Sequence, residues 1–360
     1  MPETTLPATT PSLATEPTGE PVLEARNLTK HFPLRAGARL FGRRARRVVH
    51  AVDNVSLQLY AGHVTALVGE SGSGKSTLAR LLAQLYAPTD GQILFRGKPV
   101  RAKRGKAFRA YTDEVQLILQ DPFSSFNPVL TISRHLQRTV RIHEPEHKRR
   151  ALDERIADIF RQVNLEPPQQ FVEKYPHELS GGQLQRASIA RALAATPSVL
   201  LADEPVSNLD VSIRLGILNL LARLTSEHQV ALLYVTHDIA SARYFASMTS
   251  VMYAGEIIEG GPSEVVTQRA AHPYTQLLIA SAPDPDRATD VERIRDIGQP
   301  PSLIDPPTGC RFHPRCPFAM ERCSSEAPPR FDLPDGHWAK CWLYDEATAG
   351  NQTGVHQNGN

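Results

Sequence analysis

A glycine-rich segment between an apolar run and a helical pattern has the composition of a phosphate-binding loop. It fits the pattern G-x-x-x-x-G-K followed by Ser or Thr, and it consists of Gly69, Glu70, Ser71, Gly72, Ser73, Gly74, Lys75, Ser76 and Thr77. Glycines let several backbone N–H groups point at one phosphate chain, and the helix start adds partial positive charge. Lys75 then reaches the β- and γ-phosphates, while the Ser76 hydroxyl is available to Mg²⁺. The segment predicts a site for a nucleoside triphosphate.

A second candidate part of the site is a pair of carboxylates after an apolar run. The run LLADEP (200–205) contains Asp203 and Glu204. A carboxylate at a strand end can hold Mg²⁺ through water, and its neighbour can polarise an attacking water molecule. His237, near the end of another apolar run, is a candidate sensor of the γ-phosphate, although a lone histidine is more often structural. Together these residues predict hydrolysis at the γ-phosphate.

The elements that must position these residues alternate between strand and helix patterns. The runs VTALVG (64–69), VLLAD (199–203) and ALLYVTHD (231–238) are continuously apolar, as in strands buried on both faces of a parallel sheet. Helical patterns begin near Gly74 and Ile213. This alternation predicts an α/β domain.

Length and composition limit the classes of protein that fit. The chain has 360 residues, of which 41% are hydrophobic, enough for two domains or one large one with a buried core. Its 40 Lys and Arg residues nearly balance 38 Asp and Glu residues, so no charge excess indicates a polyanionic partner. No run of about 18 apolar residues predicts a membrane-spanning helix, and no secretory signal is recognisable at the N-terminus. We therefore expect a cytoplasmic protein.

Changes in composition divide the chain into four segments. Residues 1–20 and 346–360 are interpreted as disordered tails. Residues 21–262 hold the strand and helix patterns of the nucleotide-binding domain, and residues 263–345 form a small, loop-rich second domain. An arginine-rich stretch at residues 35–47 is either a solvated loop or a contact with lipid head groups or an acidic partner.

All four cysteines lie in the C-terminal domain. Cys310, Cys316, Cys323 and Cys341 follow the pattern Cys-x5-Cys-x6-Cys-x17-Cys. Clustered cysteines in a reducing compartment more often bind metal than form disulfides. Four thiolates can close a zinc site or hold an iron–sulfur cluster, and zinc sites favour closer pairs than these. The spacing mildly favours a 4Fe-4S cluster, and zinc or no metal are the alternatives. We expect the cluster to have a structural role, because a loop-rich segment with a small core needs a cross-link.

Residues 177–194 hold a second glycine-rich helix start. Its LSGGQ motif contributes Ser180, Gly181, Gly182 and Gln183. A helical pattern runs from Gln183 to Ala194, and the motif precedes Asp203 by about 20 residues. Motif and position resemble the signature of ATP-binding-cassette (ABC) ATPases. The resemblance implies that these residues cap the γ-phosphate of ATP held by a partner subunit.

Four further residues match ABC ATPase motifs in the same order along the chain. Gln120 in LILQDPFSSFNP resembles the Q-loop glutamine, and Asp210 in SNLD resembles the D-loop aspartate. His237 is similar to the switch histidine, and Phe32 to the aromatic residue that stacks on adenine. Asn208 stands where alanine is usual, a departure that bears on D-loop coupling rather than on nucleotide binding.

The resemblance implies a fold and a mechanism. The fold is α/β: an ABC-type P-loop ATPase domain with a parallel-sheet core, an antiparallel β subdomain and a helical signature subdomain, followed by the loop-rich C-terminal domain. In ATP hydrolysis, Glu204 orients the attacking water, and His237 and Gln120 complete the site. The implied ligands of Mg²⁺ are Ser76, Gln120 and Asp203.

Three features resemble the ATPases of oligopeptide and dipeptide importers in particular. They are the loops QDPFSSFNP and DEPVSNLDVS, the insertion between Phe32 and Ala51, and the segment HPYT (272–275) that begins a C-terminal extension. Some relatives carry an iron–sulfur cluster in this extension, which adds weight to a 4Fe-4S cluster here.

The importer resemblance implies partners and a location. The partners are a second ABC ATPase subunit in a heterodimer, two transmembrane permease subunits and an extracytoplasmic substrate-binding protein, with no nucleic acid. The location is peripheral, on the cytoplasmic face of the inner membrane. One alternative keeps the mechanism but transports nickel or another small cargo. A soluble ABC ATPase acting on DNA or ribosomes is disfavoured by the single cassette and the lack of sustained heptads.

Overall fold

The structure is a computed structural model, and it describes residues 17, 19–34, 47–100, 104–144, 149–281 and 298–345. The two predicted tails lie almost wholly outside the described residues. The arginine-rich stretch also lies outside them, apart from Arg47.

The described residues contain twelve strands and eleven α-helices. The strands are β1 (Leu23–Pro33), β2 (Val48–Leu59), β3 (Val64–Val68), β4 (Asp90–Phe95), β5 (Lys98–Pro99), β6 (Val115–Ile118), β7 (Val199–Asp203), β8 (Ala231–Thr236), β9 (Met248–Tyr253), β10 (Glu256–Pro262), β11 (Phe331–Asp332) and β12 (Trp338–Ala339). The α-helices are α1 (Lys75–Leu82), α2 (Gly105–Glu114), α3 (Ile132–His143), α4 (Arg149–Gln162), α5 (Gln169–Val172), α6 (Gly181–Leu193), α7 (Val211–His228), α8 (Ile239–Phe245), α9 (Ser263–Gln268), α10 (Pro273–Ala280) and α11 (Glu321–Ser325).

The main sheet has eight strands in the order β11-β12-β10-β9-β3-β8-β7-β6. Strands β9, β3, β8, β7 and β6 are parallel, whereas β10, β12 and β11 extend one edge in antiparallel fashion. Every residue of β3, β7 and β8 is buried, because helices cover both faces. The predicted α/β core is therefore confirmed, and Asp203 ends β7, which lies between β8 and the edge strand β6.

The first antiparallel unit covers one side of this core. Its four strands lie in the order β2-β1-β4-β5, with Leu23 opposite Leu59 on one side and Phe95 on the other. Their inward residues share a hydrophobic cluster with Leu78 and Leu82 of α1. This arrangement matches the predicted antiparallel β subdomain.

A helical unit packs on the opposite side. Helices α3, α4 and α6 contact one another, and α3 turns Ile132, Leu136 and Val140 inward because residues four apart share one helix face. These side chains are fully buried in a cluster with Leu184 and Ile189 of α6. The unit carries the LSGGQ motif, as the signature subdomain was expected to do.

The C-terminal segment joins the main sheet instead of standing apart from it. β12 pairs with β10 through Glu259 opposite Ala339. The buried carboxylate of Glu259 accepts hydrogen bonds from the backbone N–H groups of Ala271 (2.7 Å) and His272 (3.0 Å), and it bonds His337 Nε2 at 2.7 Å. This network fixes the start of α10 next to the phosphate loop.

No helix among the described residues is both long enough and apolar enough to cross a membrane.

Candidate functional site

The phosphate loop lies between β3 and α1, as predicted. Its tight path requires glycine at Gly74, whose φ of 108° is left-handed and whose Cβ, if present, would lie 2.2 Å from the Ala51 carbonyl oxygen. The turn leads directly into α1 at Lys75, so the first N–H groups of the helix face the loop. The loop thus has the geometry of an anion cradle at a helix N-terminus.

Lys75 is the central cation of this loop and is almost fully buried, with 4% of its surface exposed. Its Nζ donates hydrogen bonds to the carbonyl oxygens of Gly69 (2.7 Å) and Glu70 (2.8 Å). Burial lowers the pKa of Lys75, and the nearby carboxylates of Glu204, Asp203 and Glu70 oppose that shift. An anionic ligand would stabilise the charged ammonium further.

Ser76 and Asp203 meet beneath the loop. The Ser76 hydroxyl donates to Asp203 Oδ1 at 2.8 Å, while the buried Asp203 Oδ2 has no hydrogen-bond partner among the described residues. Burial raises the pKa of Asp203, although the Ser76 hydrogen bond opposes this. A buried carboxylate oxygen without a partner beside a serine hydroxyl fits the oxygen-ligand chemistry of Mg²⁺.

Glu204 lies where two loops converge on one carboxylate. Gln120 Nε2 donates to Glu204 Oε2 at 3.0 Å, and His237 Nδ1 lies 3.4 Å from Oε1. The backbone of Glu204 is left-handed, with φ of 46°, and its N–H bonds the Val235 carbonyl at 3.0 Å. Such a conformation is uncommon for a residue with a side chain and often occurs at functional sites. Gln120 is thus directed at Glu204, and its predicted role as a Mg²⁺ ligand stays a prediction.

Lys75, Ser76 and Glu204 line one cleft of about 730 Å³, whereas the buried Asp203 does not line it. Its polar wall comprises Glu70, Ser71, Gly72, Gly74, Lys75, Ser76, Thr77, Gln120, Glu204 and His237. Its apolar wall comprises Phe32, Val49, Ala51, Leu278 and Leu303. Phe32 is half-buried and packs edge-on against Tyr86 with ring centroids 5.4 Å apart. The cleft therefore offers an apolar end for a base and a polar end for phosphates.

The signature residues do not line this cleft. Ser180 caps α6: its hydroxyl accepts from the Gln183 N–H at 3.3 Å, and Gln183 Oε1 accepts from the Ser180 N–H at 3.1 Å. Gly182 is buried where a Cβ would lie 2.6 Å from Ile213 of α7. Asp210, which precedes α7, is exposed and also lies away from the cleft. The helix start faces outward, available to a second subunit.

The four cysteines span 32 residues of one segment, in which the Cys310 N–H donates to the Cys323 carbonyl oxygen at 2.8 Å. Cys323 and Cys341 are buried, and Cys310 and Cys316 are partly buried. Burial raises the pKa of Cys310 to about 11 and that of Cys341 to about 12, and Cys316 and Cys323 add to both shifts. Four such thiols are therefore close enough to interact electrostatically.

A backbone N–H group points at one of these sulfurs: the Met320 N–H donates to Cys323 Sγ at 3.5 Å. N–H groups directed at sulfur stabilise thiolates, which are the metal-binding form of cysteine.

Sequence reasoning missed two contacts with the phosphate loop. The Tyr274 hydroxyl accepts a hydrogen bond from the Glu70 N–H at 2.8 Å, and the Arg315 guanidinium pairs with the Glu70 carboxylate. Leu278 and Leu303 of the same C-terminal segment line the cleft. The HPYT segment, which contains Tyr274, was noticed only because it resembles a family motif. No sequence pattern indicated that Arg315 contacts the phosphate loop.

Two protein-family models match the chain. The ABC transporter family matches residues 52–207, which include the phosphate loop, the signature and Asp203. The C-terminal region of oligopeptide and dipeptide transporters matches residues 258–323, which include three of the cysteines.

Several relatives match nearly the whole chain. A probable peptide ABC transporter ATP-binding protein of Sinorhizobium fredii is 43% identical over 91% of this chain and 91% of its own length. The oligopeptide transport ATP-binding protein AppF of Bacillus subtilis is 39% identical over 90% of this chain and 98% of its own length. OppF of Escherichia coli, another such protein, is 39% identical over 85% and 92%.

Solved structures share the ATPase part of the fold. A dimeric bacterial ABC transporter cassette is 26% identical, with a TM-score of 0.58, and covers 67% of this chain and 98% of its own. A dimeric post-hydrolysis state of an ATP-binding cassette bound to ADP and Pi has the same sequence identity, TM-score and coverage of both chains.

Proposed function

The chain belongs to the ABC transporter ATPases, among the oligopeptide transport ATP-binding proteins, and from this premise we propose that it powers the import of di- or oligopeptides. Its enzymatic activity is the hydrolysis of ATP. The observation that carries the ATPase mechanism is the convergence of Gln120 and His237 on Glu204, at the phosphate end of the cleft. The peptide cargo is supported by the similarity to oligopeptide transport ATP-binding proteins.

In the proposed mechanism, Lys75 and the loop N–H groups bind the phosphates, and Phe32 contacts the base. Glu204 orients a water molecule toward the γ-phosphorus, whose bond to the bridging oxygen breaks as the new P–O bond forms. His237 and Gln120 hold the carboxylate in place. Bound through Ser76 and Asp203, Mg²⁺ would neutralise charge on the phosphates. Catalysis is mostly positioning and charge stabilisation.

Two chains are needed for a complete site. The outward-facing start of α6 supports a head-to-tail dimer, in which Ser180, Gly181, Gly182 and Gln183 of one subunit cap the ATP of the other. We propose that the second subunit is a related ATPase, and that the pair drives two transmembrane permease subunits fed by an extracytoplasmic binding protein. The chain would then lie peripherally on the cytoplasmic face of the inner membrane.

The cargo can be tested in cells that lack this gene. Uptake of radiolabelled di- and oligopeptides should return with the wild-type chain but not with Glu204→Gln, while nickel uptake should be the same in all strains. If cells that lack the gene lose nickel uptake and retain peptide uptake, the transported cargo is nickel and not peptide. Purification of the chain with ribosomes or DNA, without membrane proteins, would reject the transporter altogether.

We further propose that the four cysteines hold a 4Fe-4S cluster. The burial of Cys323 and Cys341, the partial burial of Cys310 and Cys316, and the Met320 N–H directed at Cys323 Sγ support this assignment. In the described part of the chain, the one group of three or more potential ligands within 4.8 Å of one another is His31, His50 and Asp53. The sulfurs are thus spaced more widely than a tetrahedral zinc site with bonds of about 2.3 Å requires. The cluster would supply cross-linking to a segment with a small core.

A further inference from the structure

The phosphate loop forms an ion pair with the cysteine segment, residues 308–345. Arg315 donates from both terminal nitrogens to both oxygens of Glu70, at 2.9 Å and 3.0 Å, across 245 residues of sequence. The side chains are 9% and 29% exposed, so solvent screens the pair only in part. A two-point guanidinium–carboxylate contact fixes orientation as well as distance.

Rigid neighbours hold the guanidinium in turn. It lies 5.8 Å from the ring centres of both Tyr253 and Phe312, and it donates to the Tyr253 hydroxyl at 3.3 Å. Tyr253, Phe312 and Tyr274 form a small buried cluster with ring centroids 4.4–5.5 Å apart. Arg315 is therefore an inflexible anchor, because its stem and head are both packed.

The same cluster reaches the backbone of the loop. The Tyr274 hydroxyl accepts from the Glu70 N–H, so Glu70 is held at its main chain and at its carboxylate by different residues. The Glu70 carbonyl accepts from Lys75, so movement of Glu70 would also displace the lysine that contacts the phosphates.

Charge gives the contact a second consequence. Glu70 lines the cleft, and an unpaired carboxylate there would repel the triphosphate of ATP. Arg315 neutralises this carboxylate from behind, without lining the cleft itself.

We propose that Arg315 is a positioning residue for the phosphate loop, through which the cysteine segment sets the affinity of the chain for ATP. Arg315 precedes Cys316 directly, so the order of the cysteine segment reaches the nucleotide site by one ion pair. The inference requires ATP binding alone and is independent of the cargo.

The test compares full-length variants by calorimetric titration with a non-hydrolysable ATP analogue and Mg²⁺. Arg315→Met should weaken binding about tenfold, as expected for loss of one partly buried charged contact. In the assembled transporter, KM for ATP should rise similarly, while kcat should change by less than about twofold because Glu204, Gln120 and His237 are untouched. Arg315→Lys, which keeps the charge but not the two-point contact, should lie between Arg315→Met and wild type.

Coupling between the two residues distinguishes this role from a general structural one. In a Glu70→Gln background, Arg315→Met should change the affinity by less than about twofold, because the carboxylate it serves is gone. Additive effects of the two substitutions would overturn the proposal.

Arg322 supplies a matched control. It also directly precedes a cysteine, but it pairs with Glu326 and Asp345 instead of the loop. Arg322→Met should leave ATP affinity unchanged. Both tryptophans of the chain, Trp338 and Trp342, lie in the cysteine segment, so the midpoint of thermal unfolding followed by their fluorescence reports whether it stays folded in each variant. The fluorescence intensity itself is not compared, because the Arg322 guanidinium lies 3.5 Å from the Trp342 ring centre. Unchanged affinity in Arg315→Met, or equal weakening in Arg322→Met, would also reject the assignment.

Discussion

The hydroxyl group of Ser76 donates a hydrogen bond of 2.8 Å to a carboxylate oxygen of Asp203, 127 residues further along the chain. Ser76 is the second residue of α1, which follows β3, and Asp203 ends β7. Because β3 and β7 run in the same direction, their C-terminal ends lie at the same edge of the sheet. The second oxygen of Asp203 is buried without a partner, so this pair marks where Mg²⁺ would bind.

Asp203→Asn should therefore weaken the response to Mg²⁺ and preserve the fold. The amide oxygen can still accept from Ser76, but it lacks the charge that attracts a divalent cation. We expect the Mg²⁺ concentration for half-maximal ATPase activity to rise at least ~10-fold, as measured by titration at saturating ATP. Asp238, which follows β8, provides the control. Asp238→Asn can still accept from the Ala240 N–H and should leave the half-maximal Mg²⁺ concentration unchanged. The same shift in both variants would contradict the Mg²⁺ assignment.

Glu204→Gln should bind ATP but not turn it over. Glutamine keeps the size of the side chain but cannot polarise water, and loss of such a group typically costs ~10²–10⁴ in rate. ATP should then accumulate between the two subunits and hold the dimer closed, which size-exclusion chromatography would detect. Turnover close to that of wild type would assign the water-orienting role to another group.

Ser180 should matter only when two subunits meet. Ser180→Ala removes the cap of α6, at a cost of about 1 kcal/mol in stability. It should not change ATP affinity of the isolated chain, because Ser180 does not line the cleft, but it should lower ATPase activity of the assembled transporter. Ser180→Asn can still cap α6 and separates the effect on stability from the effect on activity. Its melting temperature should be close to that of wild type, whereas ATPase activity of the assembled transporter should stay low. Full activity in Ser180→Ala would count against a composite site.

Cys316→Ser should release the proposed cluster. Serine is a poor iron ligand, so iron and acid-labile sulfide, assayed in protein purified without oxygen, should fall well below wild-type amounts. The fluorescence of Trp338 and Trp342 should report loosening of the segment. Ser324→Ala, next to Cys323, is the control and should retain the metal. Unchanged metal content in Cys316→Ser would reject the four-cysteine site, and zinc in place of iron would identify the alternative.

The sequence predicted the parts of the fold that depend on local patterns. Continuous apolar runs indicated β3, β7 and β8 within two residues of their observed ends, because burial on both faces leaves few polar positions in these strands. The signature helix was predicted from Gln183 but begins at Gly181. Its first turn is set by the reciprocal Ser180 and Gln183 hydrogen bonds, a capping signal that hydrophobic periodicity does not contain.

The contacts of the C-terminal segment were beyond sequence reasoning. β11 and β12 have two residues each, too few for an alternating pattern, and they form only because β10 offers an edge. The pairing of Arg315 with Glu70 spans 245 residues between two loops, where spacing has no period. Such contacts depend on how separate units pack, and that is decided by tertiary structure.

His272 makes stability depend on pH in a direction that can be measured. Its ring is buried, its Nδ1 accepts from the Tyr274 N–H at 3.0 Å, and burial lowers the pKa of His272 from 6.5 to about 3. Between these values the unfolded chain binds the proton and the folded chain does not. This contribution to stability is complete above pH 6.5 and is lost as the pH falls toward 3, by up to ~1.4 kcal/mol for each pH unit.

His272→Asn should remove this pH dependence. Asparagine can still accept from the Tyr274 N–H at the start of α10, but it does not titrate. Because the smaller side chain also leaves space in the core, the comparison concerns the slope of Tm against pH, not its absolute value. Between pH 7 and 4.5, the Tm of wild type should fall further than the Tm of His272→Asn. As a control, His228→Asn at an exposed position should show the wild-type slope of Tm against pH. Equal slopes in wild type and His272→Asn would mean that His272 is not a buried neutral group.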